Sequence, residues 1–94
     1  MMSKHIGSHF DDFLEEEDLL AEAEAAATKR VIAWQIEDMM RSEGLSKSEM
    51  ARRMGTSRSA LDRLLDPSNP SVTLLTLERA ARALGKKVRV ELAA

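Results

Sequence analysis

The stretch that most constrains this chain runs from Leu45 to Asp66, where a serine stands ahead of each of two short amphipathic segments and a glycine separates them. Ser46, followed three residues later by Glu49, has the spacing of a helix N-cap with a capping box, so a helix is predicted to open at Lys47. Met50, Ala51 and Met54 then form one narrow inward stripe and leave Lys47, Arg52 and Arg53 facing outward. Gly55 ends that helix, because glycine adopts the left-handed C′ conformation without a Cβ clash, and the chain turns sharply within Gly55-Thr56. Ser57 caps a second helix. In it Leu61, Leu64 and Leu65 share a face, while Arg58, Ser59, Asp62 and Arg63 occupy the others.

Two short helices joined by such a turn, with a basic outer face, suit duplex DNA. A helix whose first turn exposes Arg and Ser fits the major groove, where those side chains read base edges. The pattern resembles the helix-turn-helix of the Cro/C1 (Xre-like) repressor family, with Ala51, Gly55, Leu61 and Leu64 at the positions that pack its two helices. Downstream, Thr73 to Gly85 resembles the fourth helix of such domains, so the likeness covers Thr28 to Gly85. It implies that Lys47, Arg58, Ser59, Asp62 and Arg63 face DNA, with Arg52 and Arg53 exposed for phosphate contact. Thr56 stands where the family usually has an apolar turn residue. Asp62 has two readings: it accepts from a cytosine amino group, or it pairs with Arg58 at i,i+4.

At 94 residues the chain allows one small domain. It has no cysteine, which excludes disulfides and thiolate metal sites and suits a reducing cytoplasm, the expected location. No apolar run approaches the roughly 20 residues of a membrane-spanning helix, and no signal-peptide pattern is seen. The net charge of −2 looks wrong for a DNA-binding protein, but it is segregated. Residues 1–27 set one lysine against eight carboxylates, a net −7, whereas residues 28–94 set thirteen basic residues against eight acidic ones, a net +5. Such asymmetry marks a nucleic-acid-binding part and a separate acidic arm. With Phe10, Phe13 and Trp34 the only aromatics and none on the basic face, single-strand stacking is disfavoured.

Within the arm, Ser8 is placed to cap a helix on which Phe10, Phe13 and Leu14 share a face, with Leu19 and Leu20 following. Residues 20–27 are almost only Ala, Glu and Leu, strong helix formers, and no Gly or Pro intervenes before Gly44. The arm therefore either runs directly into the first helix of the domain or breaks at Asp18. That first helix, near Thr28 to Glu43, is expected to use Val31, Ile32, Ile36, Met39 and Met40 as its core stripe, flanked by Trp34. The arm is either a solvated acidic face or an amphipathic helix that binds a basic partner protein in a groove. A short Xre-like domain with an extra acidic segment is similar to HigA-type antitoxins, which pair with a small basic RelE-like ribonuclease and repress their own operon. The resemblance implies toxin contacts at Phe10, Phe13, Leu14, Glu15, Glu16 and Leu20.

At the other end, residues 87–92 alternate charged and apolar side chains, which predicts a strand presenting Val88, Val90 and Leu92. A lone strand needs a partner, and pairing with a second copy across a two-fold axis would make a homodimer suited to a palindromic operator. The alternatives are pairing with the toxin or the N-terminal segment, or no partner. Between these parts, Asp66-Pro-Ser-Asn-Pro70 is turn chemistry, and Thr73 is the expected cap of a helix whose inward stripe is Leu74, Leu77, Ala81 and Leu84, closed by Gly85. Ser68 and Asn69 serve either the turn or a phosphate.

His5 and His9, with Asp12 beyond, are too isolated to predict a metal site, and no catalytic constellation or cofactor motif is present. No enzyme is expected. The sequence thus predicts a mainly α fold: a helix-turn-helix bundle of four to five helices over residues 28–85, an acidic helical arm over 1–27, and a dimer-pairing strand over 86–94. Three functions compete: an autorepressing antitoxin, a stand-alone repressor without a toxin, and a protein-interaction module that reuses the scaffold.

Overall fold

In the computed structural model, the backbone is described for residues 2–93 and the side chains for residues 17–93. Four helices follow one another: α1 (Met2–Ser42), α2 (Lys47–Met54), α3 (Arg58–Leu65) and α4 (Leu74–Ala83). At about 1.5 Å per residue, the 41 residues of α1 span roughly 61 Å, which matches the longest dimension of the molecule, 62 Å. The arm and the first helix are therefore one continuous helix. Ser8 and Asp18 both lie inside it rather than at an end.

The other helices begin and end for local reasons. The hydroxyls of Ser46, Ser57 and Thr73 accept from the backbone N–H of Glu49, Ala60 and Thr76 at 3.1–3.2 Å, so each N-terminus has one of its orphan donors satisfied. The Glu49 carboxylate turns to Arg52 and Arg53 instead of completing a capping box. At the far end of α2, Gly55 adopts φ +68°, ψ +37°, and the Thr56 N–H reaches back to the Ala51 carbonyl at 3.0 Å. Gly85 does the same for α4, with the Lys86 N–H on the Ala81 carbonyl at 2.7 Å.

These elements close around one core. α1 packs on α3, and α2 packs on both α3 and α4. Ile36 and Met40 of α1, Met50, Ala51 and Met54 of α2, Leu61, Leu64 and Leu65 of α3, and Ala80 and Leu84 at α4 make up the buried cluster. The expected inward stripes of α1 and α4 hold at Ile36, Met40 and Leu84, which are buried, and at Ile32, Met39 and Leu77, which pack against the core, with one departure on each helix. On α1, Ala33 and Lys29 join the inward face, whereas Val31, expected there, is 55% exposed; Trp34, expected at its flank, is 62% exposed. On α4, Leu74 is exposed and Ala80 is fully buried.

The predicted C-terminal strand does not form. Residues 86–93 follow α4 as a tail without regular secondary structure, and no strand occurs among the described residues. Alternation of Val88, Val90 and Leu92 matches a strand pattern, but a strand needs a neighbouring backbone, and this all-helical bundle supplies none. The tail lies by a groove formed with Ile32, Ile36, Met39, Leu77 and Leu84; Val88 is half-buried there, and Leu92 is 98% exposed. Among the described residues the architecture is four helices, within the four to five expected, and has no strand.

Candidate nucleic-acid interface

The N-terminal residue of α2 and the outer face of α3 converge on one exposed surface. Lys47 Nζ lies 3.4 Å from the Asp62 carboxylate, with both side chains about half exposed. Beside this pair, the Arg58 guanidinium donates to the Ser48 hydroxyl at 3.5 Å. Two contacts thus link α2 to α3 across the outer edge of the turn. The sequence left Asp62 either on Arg58 or on a base; the structure pairs it with Lys47 and gives Arg58 to Ser48. Ser59, on the first turn of α3, is exposed.

Arg52 and Arg53 lie on a different edge. Both approach the Glu49 carboxylate, at 3.5 Å and 3.9 Å, and Arg53 also donates to the Ala83 carbonyl near the end of α4 at 3.5 Å. Arg52 is the more exposed of the two. Arg63 lies on the α4 side of α3, where it lines a shallow cleft with Thr56, Ala60, Thr73, Thr76 and Arg79. Arg79 thereby joins the basic residues near α3, a position the sequence read only as part of the fourth helix.

The turn after α3 is closed on itself. Asp66 Oδ1 accepts from the backbone N–H of Ser68 at 2.9 Å and from its hydroxyl at 2.7 Å. These two bonds, the hydroxyl first, hold the Asp66 carboxyl below the usual carboxylate range. Asn69 donates to the Arg63 carbonyl at 3.4 Å and accepts from the Ser71 N–H at 3.1 Å. Ser68 and Asn69 are therefore committed to the turn.

Lys29 was missed entirely in the sequence. It is 2% exposed, and its Nζ donates to the carbonyls of Arg63 at 3.0 Å and Asp66 at 2.7 Å, at the C-terminal end of α3. Desolvation lowers its pKa, opposed by the nearby Asp66 charge. No local pattern signals such a contact, because its partners lie 34 and 37 residues away.

The side chains of Phe10, Phe13, Leu14, Glu15 and Glu16, like those of His5, His9 and Asp12, lie outside the described residues. Leu20 is exposed on the part of α1 that extends beyond the bundle. Val88, Val90 and Leu92, expected at a dimer contact, sit on the tail. No group of metal-binding side chains occurs among the described residues, and no described helix is long and apolar enough to cross a membrane.

An outer face built by α2 and α3, with capped helices, a left-handed glycine turn and a leucine-rich underside, is the geometry of a major-groove reader. No curated protein and no solved structure matches the chain significantly. The family model of the Cro/C1-type HTH DNA-binding domain matches residues 35–88, more than half of the chain and all of α2, α3 and α4. The chain belongs to the Cro/C1-type helix-turn-helix DNA-binding domain family.

Proposed function

We propose that this DNA-binding protein is a sequence-specific repressor that also acts as an antitoxin, neutralising a small basic RelE/HigB-like toxin and regulating its own operon. Lys47, Arg58, Ser59, Asp62 and Arg63 face the operator, Arg52 and Arg53 contact phosphates, and the acidic segment of residues 1–27 holds the toxin through Phe10, Phe13, Leu14, Glu15, Glu16 and Leu20. The protein works in the cytoplasm as a homodimer on a palindromic site, since two recognition helices about 34 Å apart meet successive major-groove faces. Val88, Val90 and Leu92 contribute apolar side chains to the dimer contact.

One observation carries the antitoxin reading. The acidic half of α1 extends beyond the bundle, and its Leu19 and Leu20 are 65% and 60% exposed between carboxylates, while the basic residues lie on the bundle. A protruding helix of that composition has apolar area to bury and a charge that selects a cationic partner.

The test is co-expression with the product of the adjacent gene, if that gene encodes a basic chain of about 100 residues. Removal of residues 1–27 is expected to abolish neutralisation and spare DNA binding. Neutralisation by the truncated chain rules out the antitoxin role of the arm, and absence of a toxic partner leaves a stand-alone repressor.

A further inference from the structure

Among the described residues, Lys29 is the one charged side chain that is buried, and it does so at a chosen place. It follows the acidic segment on the same continuous helix, and its ammonium reaches the last turn of α3 and the residue that caps it. Carbonyls at a helix C-terminus lack intrahelical partners and carry the negative end of the helix dipole, so a buried cation is matched there in both hydrogen bonding and charge. Asn69 shares the Arg63 carbonyl, so the same end is held from two sides.

We propose that Lys29 is a positioning residue for DNA reading: it fastens α1 to the C-terminal end of α3 and so sets the tilt at which Arg58 and Ser59 meet the base edges. This rests on α3 being the recognition helix. The apolar underside of α3, Leu61, Leu64 and Leu65, fixes how deeply the helix sits, but apolar contact is non-directional and tolerates rocking. Two directed hydrogen bonds at one end do not. Base readout depends on donor and acceptor alignment, whereas phosphate attraction is Coulombic and forgiving of small rotations. Loss of the Lys29 anchor therefore falls on discrimination between sequences, not on binding to DNA in general. It also makes α1 the mechanical link between the acidic segment and the reading helix.

The experiment compares the full-length chain with Lys29→Met, which keeps the apolar stem and removes the donors, and Lys29→Arg, which keeps charge and donors. Affinities for the duplex immediately upstream of its own gene and for a shuffled duplex of equal length are measured by fluorescence anisotropy, well below each thermal midpoint. Lys29→Met is expected to lower the ratio of the two affinities about tenfold, the scale of one misaligned base contact, with an unchanged salt dependence on shuffled DNA. Lys29→Arg is expected to restore the ratio. A Met variant with a lower thermal midpoint but an undiminished ratio makes Lys29 structural only and overturns the proposal. If Lys29→Met does not fold, Lys29→Leu, which also lacks donors, takes its place: a ratio below that of Lys29→Arg supports the proposal and an equal one overturns it. No preference by the unaltered chain overturns the repressor reading and this inference together; preference that the variant keeps overturns this inference alone.

Discussion

Lys47 and Asp62 form an ion pair across the turn between α2 and α3, Nζ to carboxylate 3.4 Å, on the exposed outer surface these two helices build. The pair occupies a cation the interface needs, and Asp62 adds a negative charge close to incoming phosphates. Half-exposed pairs of this kind contribute only about 0–1 kcal/mol to stability, so its main effect is on the surface field.

Asp62→Asn is therefore expected to leave the thermal midpoint nearly unchanged and to tighten binding to random duplex DNA, with a steeper dependence of log K on log salt as Lys47 becomes available to a phosphate. Titration of a random duplex at several salt concentrations checks this. Weaker binding with an unchanged slope would show that Asp62 reads a base or positions Lys47.

Arg58 and Arg52 should separate by kind of loss. Arg58, placed by Ser48 on the first turn of α3, is expected on truncation to alanine to lose about 1–3 kcal/mol of operator preference, whereas Arg52→Ala should weaken all sequences alike and lower the salt slope by about one. Paired measurements on upstream and shuffled DNA decide it, and equal losses on both for Arg58→Ala refute its base-reading role.

Gly55→Ala tests the turn. No atom lies within 4 Å of an added Cβ, so the cost is conformational: a side chain at φ +68° costs roughly 1–2 kcal/mol. For a domain of this size each 1 kcal/mol lowers the midpoint by about 4–8 °C, readable by circular dichroism. A midpoint within error of the unaltered protein would mean that α2 ends without the left-handed residue.

Acid should act through Asp66. Its folded-state pKa is depressed by Ser68, so its contribution to stability is complete above the unfolded carboxylate value of about 3.9 and is lost as pH falls through the lower folded value. Asp66→Asn keeps an acceptor oxygen without the titration. Its midpoint is expected to fall less steeply than that of the unaltered protein below about pH 4. Parallel slopes in thermal melts across that range would remove Asp66 from the acid response.

What could be read from sequence was what the chain decides within a turn or two. Ser46, Ser57, Thr73 and Gly55 act through hydrogen bonds spanning three to five residues, and Met50, Ala51, Met54, Leu61, Leu64 and Leu65 lie on short helices with one apolar face each. These local features placed the helix-turn-helix and the residues of its outer face.

Only the tertiary structure decided how long elements are turned and who meets whom. On α1, periodicity placed Ile32, Ile36, Met39 and Met40 at the core, but apolar side chains nearly surround the helix between Val31 and Met40, and only packing showed that Ala33 and Lys29 join that face and Val31 does not. Asp62 had an acceptable partner at i,i+4 and took Lys47, while the alternating tail found no backbone to pair with. In each case the choice depends on atoms far away in the chain, whose positions exist only once the bundle has closed.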